Sequence, residues 1–378
     1  MAWYDNAWTK RKKITIDSTK VGTGPHADFP VLVNLESDTN LSASALASGN
    51  DILFTDTDQI TKINYERVSY TSGTGALVAW VQIPSLISTA NSDIYMYYGN
   101  SGAADQQNKT GTWNSNYVSV WHLDNSDFTD STSNAQGLTN TSTTNTTGKI
   151  KDARSFNGTS AYLNTTGAIP FSTNSINMIS ISMWIKFNPY DITNALVLYE
   201  LSTNYNTKNA FINYTDGTVA GDPIYTGNSD SISGYSLRNY TTTTTGLTDS
   251  AFHHCVFIHD RSQSGADGNE VNLYVDAALK TRDAAPNTNN TSGNFINDTL
   301  YIGSRAGTSL FQTILLEEMR INKTVLSGAW ITTEYNNQNS PSTFYTLSAE
   351  ESGGGGGGGG ANFDPIMRGS GFWGPRFA

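Results

Sequence analysis

Charged residues and cysteine are scarce in this sequence, and long apolar runs are missing from it. Charged residues make up only 15% of the chain, which favours half-buried pleated surfaces and polar loops over helices. The longest apolar stretches, such as residues 192–201, are too short to span a bilayer. Cys255 is the single cysteine, so no disulfide can form within the chain, and its apolar neighbours predict core packing. These features predict an all-β protein that is not inserted in a membrane.

Positive charge is also in short supply. The chain has 22 Lys and Arg residues against 33 Asp and Glu residues, a formal net charge of -11. Nucleic acid is therefore not an expected partner, because binding to the phosphate backbone depends on clustered positive charge. The first residues lack the apolar segment and the small-residue cleavage site of a secretory signal peptide. From this we expect a protein that leaves its cell inside a particle rather than by secretion.

Alternating apolar and polar residues predict a first β-sandwich domain over residues 1–100, followed by a polar linker over residues 101–116. Three stretches are typical of one known family: Arg11-Lys-Lys-Ile-Thr-Ile-Asp, Leu77-Val-Ala-Trp-Val and Ile94-Tyr-Met-Tyr-Tyr-Gly-Asn. On these residues the segment resembles a domain-of-unknown-function family that often precedes laminin-G-like domains in phage and microbial surface proteins. The resemblance implies a fold but no chemistry.

A second series of strands occupies residues 117–349. It contains Trp121-His-Leu-Asp, Ser155-Phe-Asn-Gly, Ile181-Ser-Met-Trp-Ile, Leu273-Tyr-Val-Asp and Glu317-Glu-Met-Arg-Ile. Together these stretches resemble the laminin-G-like (concanavalin A-like) jelly roll, a scaffold whose loops and concave face often bind glycans or proteins. The predicted fold class is therefore all-β, with two β-sandwich domains, the second a jelly roll, and a Gly-rich C-terminal tail.

The end of the chain departs from this pattern. Residues 350–360 form a tether that contains eight consecutive glycines, and residues 361–378 form an aromatic peptide. Ordering glycines costs much backbone entropy, whereas aromatic and Arg side chains are typical of interface hot spots. We therefore expect this peptide to anchor the chain to other virion proteins or to symmetry mates. The predicted anchoring residues are Phe363, Arg368, Phe372, Trp373, Arg376 and Phe377.

No catalytic motif is found in the sequence. Glucanases that share the jelly roll carry carboxylates on alternate positions of one strand, where they can lie at the separation that glycoside hydrolysis needs. Here Glu317 and Glu318 are adjacent, so we expect them to face opposite sides, one paired with Arg320 and the other solvated. His122, between Trp121 and Leu123, is expected to be a packed strand residue rather than a general base. The sequence predicts a protein that is not an enzyme.

Two groups of residues are candidates for ligand binding. Asp124, Asp127 and Asp130 lie in one short loop, and such oxygen ligands suit calcium, although Asp is also an ordinary turn residue. No cofactor is required by the sequence, and calcium is the one candidate. Tyrosines in a long polar stretch could stack on sugar rings or could instead cap the core. The candidate glycan-binding residues are Tyr205, Tyr214, Tyr225, Tyr235 and Tyr240.

The leading functional hypothesis is a virion structural protein, either a capsid decoration or a fibre subunit. Its jelly roll would face outward at the virion surface and contact host glycans or surface proteins. The alternative is a microbial cell-surface adhesin or S-layer-associated protein with an extracellular location. A polysaccharide-degrading enzyme ranks third, because the carboxylate pattern of the glucanases is missing.

Overall fold

The structure is a computed structural model that describes residues 2–188, 191, 194–201, 207–216, 224–229, 235–240, 246–262, 271–281 and 293–353. The chain is nearly all β, and every strand pairing within these described ranges is antiparallel. The predicted fold class is confirmed. No helix in the described ranges is long and apolar enough to cross a membrane.

Besides a 3-10 turn at Ser18–Lys20, residues 2–112 contribute seven strands and two short α-helices. They are β1 (Lys10–Ile16), β2 (His26–Leu35), α1 (Thr39–Ser44), β3 (Leu53–Thr55), β4 (Lys62–Ile63), β5 (Tyr65–Thr71), β6 (Ala76–Leu86), β7 (Ser92–Tyr98) and α2 (Lys109–Thr112).

The jelly roll follows, and its described residues form fifteen strands, β8 to β22. They are β8 (Tyr117–Trp121), β9 (Leu138–Thr141), β10 (Thr144–Thr147), β11 (Asp152–Ser155), β12 (Tyr162–Thr165), β13 (Met178–Phe187), β14 (Ala195–Leu201), β15 (Phe211–Asp216), β16 (Ile224–Ser229), β17 (Tyr235–Tyr240), β18 (His253–Asp260), β19 (Val271–Val275), β20 (Ala278–Leu279), β21 (Leu300–Ile302) and β22 (Ile314–Asn322).

Its two sheets have eight strands in the order β10-β11-β22-β13-β18-β19-β20, with β8 on β22, and seven strands in the order β17-β16-β15-β14-β21-β12-β9. One hydrophobic core lies between them and includes Trp121, Phe257 and Cys255. Burial raises the pKa of the Cys255 thiol, as expected of a cysteine that packs in a core.

The chain then returns to the first unit. It forms α3 (Gly328–Asn339), α4 (Pro341–Phe344), β23 (Tyr345–Leu347) and β24 (Glu351–Ser352). Both last strands pair with β1, so they extend the first six-stranded sheet, whose order is β23-β1-β7-β3-β4 with β24 also on β1. The predicted second domain therefore includes, in residues 345–347, a strand that belongs to the first sheet.

A three-stranded sheet, β2-β6-β5, lies between the two units. Strand residues alternate between faces, and here both faces are buried. Val31 and Val33 pack into the core of the first unit, whereas Leu32 and Trp80 pack with Val120 of the jelly roll. A shared apolar layer therefore joins two units that each have a core of their own.

Helix α3 is wedged at the same junction. The side chain of Asn337 donates to the carbonyl of Leu32 and accepts from its N–H. The amide oxygen of the next residue, Gln338, accepts from the indole N–H of Trp184, at 2.6 Å. The helix thus holds β2 on one side and β13 of the jelly roll on the other.

Candidate functional site: an aromatic face on the jelly roll

Two of the five predicted tyrosines meet on the outer face of the seven-stranded sheet. Tyr214 on β15 lies directly opposite Tyr225 on β16. Their rings stack with centroids 4.8 Å apart and planes 5° from parallel, and both side chains are half-buried. Phe211 on the same strand packs into the core, so alternation points Tyr214 away from it.

The other three predicted tyrosines are described less fully. The backbones of Tyr235 and Tyr240 lie on β17, next to β16, where they pair with Ser229 and Ile224. Tyr205 lies outside the described residues.

A second aromatic pair lies on the same outer face. Tyr162 on β12 and Tyr301 on β21 have ring centroids 6.3 Å apart, while their strand neighbours Leu163 and Ile302 pack into the core. Phe311 adds a third ring, 6.4 Å from Tyr162. The sequence analysis did not select these residues. The available signal was that Tyr301 alternates with core residues inside a recognisable strand.

A buried ion pair lies between the two aromatic pairs. Glu200 on β14 pairs in register with Ile212 of β15 on one side and with Tyr301 of β21 on the other. Its side chain is fully buried, and it accepts a 2.8 Å hydrogen bond from Nε of Arg305. We call Tyr162, Glu200, Tyr214, Tyr225, Tyr301 and Arg305 the aromatic face.

This arrangement suits a ligand with both apolar and hydroxyl surfaces. Tyrosine rings present flat apolar area and a polar tip, and the half-buried Arg305 offers a charged donor to hydroxyl or carboxylate groups. Aromatic rings with a few placed polar groups are typical of small-molecule binding sites.

The two adjacent glutamates do not face opposite sides of β22, so that prediction was wrong. Leu316 and Met319 both point into the core, because the β13–β22 register gains one residue between Glu317 and Arg320. Glu318 is the residue that absorbs this bulge, with φ of 54°. The bulge places both carboxylates on the outer side of the sheet, towards the first unit.

The prediction for their partners was half right. Glu318 pairs with Arg320 at 2.8 Å, as expected. Glu317, however, is only 1% exposed rather than solvated, and it accepts the backbone N–H groups of residues 149, 150 and 151. Burial raises its pKa to about 8, against the effect of these N–H groups. Glu317 therefore holds a loop in place.

Glu318 belongs to a buried group of charges at the junction. Nδ1 of His122 lies 2.9 Å from Glu318, and its Nε2 lies 3.1 Å from Glu66 on β5, as an ion pair rather than an aligned hydrogen bond. Arg320 contacts Glu318 and, at 3.0 Å, Glu334 on α3. These five residues, which we call the charged cluster, are each at most 6% exposed.

The charges in this cluster stabilise one another. Burial disfavours the charged form of His122, but the attraction of Glu318 and Glu66 outweighs it and raises the His122 pKa to about 10. Burial also opposes ionisation of Glu66, yet His122 lowers the Glu66 pKa to about 2. His122 is thus a buried, paired cation. The carboxylates of the cluster are committed to structure, which leaves them unsuited to catalysis.

The three loop aspartates do not converge. Asp124 pairs with Lys151 at 2.5 Å, and Asp127 accepts from Thr129. Asp130 accepts from the backbone N–H groups of Val120, Thr132 and Gln136 and from the Thr132 hydroxyl. No group of three His, Cys, Asp or Glu residues in the described part could hold a metal ion. This geometry does not form a calcium cage, and calcium binding stays a prediction.

The predicted anchoring peptide is outside the described residues, so the structure bears on none of its six residues.

The solved structures to which the chain is similar include two binding domains, at low identity and with TM-scores below 0.5. The receptor binding domain of botulinum neurotoxin D is 11% identical, with a TM-score of 0.44, over 59% of this chain and 53% of that chain. The binding domain of Paraclostridial Mosquitocidal Protein 1 is 13% identical, with a TM-score of 0.46, over 58% of this chain and 52% of that chain. The chain spans about half the length of these structures. No curated protein matches the sequence.

Family models match both parts of the chain. Residues 48–141 match the domain of unknown function DUF2341, and residues 157–332 match the model described as the concanavalin A-like lectin/glucanases superfamily. Both resemblances predicted from the sequence are confirmed. The chain therefore carries a laminin-G-like domain of the concanavalin A-like lectin/glucanase superfamily, preceded by a DUF2341 domain.

Proposed function

We propose that this chain is a non-catalytic binding protein whose jelly roll binds carbohydrate on the aromatic face. The observation that carries this proposal is the presence of two tyrosine pairs, one stacked and one tilted, on either side of the Glu200–Arg305 ion pair. The lectin-like superfamily to which the domain belongs is consistent with binding.

The burial of the carboxylates of Glu317 and Glu318 supports binding over hydrolysis. A glycosidase needs two carboxyl groups open to one substrate. Glu317 and Glu318, the residues nearest to such a pair in the sequence, are 1% and 4% exposed and fully engaged with partners. We therefore infer that a bound sugar is released without being hydrolysed.

A glycan array tests the proposal directly. The wild-type protein is compared with the Tyr214→Ala/Tyr225→Ala double variant and with Tyr335→Ala, a control for loss of a half-buried tyrosine on α3. We expect the double variant to bind its best glycan at least tenfold more weakly, a loss of about 1.4 kcal/mol, and the control to bind normally. Unchanged binding by the double variant would remove the basis of the proposal, as would sugar released above a boiled control.

We further propose that the protein is a virion structural protein, a capsid decoration or fibre subunit, that carries this domain at the virion surface. Support comes from the sequence of the tail, where eight glycines precede a peptide rich in aromatic and Arg residues. Other virion proteins or symmetry mates would be its partners, and host glycans its ligands. A microbial surface adhesin is the alternative.

Mass spectrometry separates these two assignments. Purified particles and cell envelopes from the same culture are analysed in parallel, with a known envelope protein as the marker of contamination. The virion proposal predicts that the chain is enriched in particles. Its presence only in envelopes would support the adhesin instead.

A further inference from the structure

A second cleft, separate from the aromatic face, lies where the linker enters the jelly roll. Its volume is about 570 Å³, within the range of small-molecule sites. It is formed by the residues before and within β8, by the loops around residues 132–136 and 169–176, and by the turn after β22. We call it the linker cleft, and its principal lining residues are Trp113, Asn114, Tyr117, Asn134, Asn174 and Lys323.

One wall of the cleft is fixed by Asp130. The carboxylate of this residue accepts four hydrogen bonds, which fold residues 130–136 back against β8. The amide of Asn134 then donates to the carbonyl of Val118 at 2.8 Å. This wall is therefore preorganised, which reduces the entropy lost when a ligand binds.

The lining is dominated by neutral hydrogen-bonding groups. It includes Asn114, Asn134, Asn174 and Gln136, together with the hydroxyls of Thr132 and Ser133. In the described part of the chain, no carboxylate lines it. Buried apolar side chains, Ile169 and Ile176, form part of the surface beneath them. The indole N–H of Trp113 is already donated to Glu66 at 2.7 Å, so this residue offers the cleft its ring surface.

Lys323 supplies the single charge among the described residues that line the cleft. Its side chain is exposed, and no described residue forms an ion pair or hydrogen bond with its ammonium group. In a cleft of amides and hydroxyls it supplies a counter-charge for one anionic group of a ligand.

We propose that the linker cleft binds an acidic saccharide, a sugar that carries a carboxylate. The amides and hydroxyls match the ring hydroxyls, the apolar floor matches the ring faces, and Lys323 pairs with the carboxylate. A polyphosphate ligand fits less well, since one cation on an acidic chain compensates little of its charge. The cleft shares no residue with the aromatic face, so this inference goes beyond the proposed function and does not depend on it.

Calorimetric titration with two matched probes tests the inference. The probes are a galacturonic acid trisaccharide and the corresponding neutral galactose trisaccharide. We expect the acidic probe to bind the wild-type protein at least tenfold more tightly than the neutral one. Lys323→Met should lower the affinity for the acidic probe at least tenfold, and adding Asn174→Ala to Lys323→Met should lower that affinity further. Both side chains are exposed and without described partners, so the variants are expected to melt at the wild-type temperature.

Two control variants test whether the acidic probe binds in the linker cleft. Lys62→Met removes an exposed lysine of the first unit that does not line the cleft and should bind as the wild type does. Tyr214→Ala/Tyr225→Ala should also keep the acidic probe, even if it loses array glycans. The inference is overturned if the acidic probe fails to bind, or if Lys323→Met binds it normally. Loss in the tyrosine variant alone would overturn it too, by placing the sugar on the aromatic face.

Discussion

Removal of the charge of Arg320 should strongly destabilise the protein. This guanidinium is 2% exposed and contacts Glu318 at 2.8 Å and Glu334 at 3.0 Å. It also lies 3.9 Å above the ring of Trp80 and 5.1 Å from that of Trp113. The variant Arg320→Met keeps a long apolar stem but leaves two buried carboxylates without their shared cation.

The expected cost follows from the burial of these groups. Removing one partner of a buried ion pair costs roughly 3–5 kcal/mol, because the remaining charge stays buried without compensation. Loss of the cation–π contact adds about 1 kcal/mol, while His122 and Gln338 still contact the two glutamates and offset part of the loss. We therefore expect Arg320→Met to lower the free energy of unfolding by about 4 kcal/mol.

Urea unfolding followed by tryptophan fluorescence and circular dichroism measures this cost. The matched control is Lys13→Met, which breaks an ion pair with Asp93 at 3.3 Å whose side chains are 38% and 32% exposed. Such a surface pair contributes less than about 1 kcal/mol. Adding Glu318→Gln and Glu334→Gln to Arg320→Met should recover part of the stability, since no unpaired charge would remain. If Arg320→Met lowered the free energy of unfolding no more than Lys13→Met does, the stabilising role of the charged cluster would be refuted.

Three further predictions follow from the same structure. The Glu66 pKa is lowered from 4.5 to about 2. The ionised Glu66 therefore stabilises the fold by about 3 kcal/mol above pH 4.5, and this contribution is lost as pH falls towards 2. In a plot of unfolding free energy against pH, Glu66→Gln should reduce the decline between pH 4.5 and 2. The His122 pKa is raised from 6.5 to about 10, so its contribution is complete below pH 6.5 and is lost as pH rises through 10, a limb that His122→Phe should remove. A chain that ends at Gly353 should melt as the full chain does, whereas one that ends at Phe344 loses β23 and β24 from β1 and should melt at a lower temperature in calorimetry; equal melting of the two would show that these strands do not support the sheet.

The strand pattern was readable from the sequence because alternation of apolar and polar residues is a local signal. It located β1, β7, β13 and β22. The two families were recognisable for the same reason, since each depends on short strand motifs.

Features that depend on distant residues were not readable. The bulge at Glu318 breaks the alternation on which the prediction for Glu317 depended. No residue type in β22 predicts this bulge. The charged cluster joins Glu66 to residues more than two hundred positions away, and the return of β23 to β1 likewise joins the two ends of the described chain. Sequence spacing carries no signal for such contacts.

The candidate site was partly predictable. Tyr214 and Tyr225 were chosen for their residue type, and the register of β15 against β16 places them opposite each other. Tyr162 and Tyr301 lie outside the polar stretch that holds the predicted tyrosines, and the Glu200–Arg305 pair spans 105 residues. Only the sheet brings these residues to one surface.

The central claim, that the aromatic face binds carbohydrate without cleaving it, is tested most directly by a crystal structure of the protein with an oligosaccharide selected on the array. The account predicts an intact sugar with rings stacked on Tyr214 and Tyr225 or on Tyr162 and Tyr301, within hydrogen-bonding distance of Arg305. An oligosaccharide bound elsewhere with these tyrosines uncovered, or one found cleaved, would contradict it.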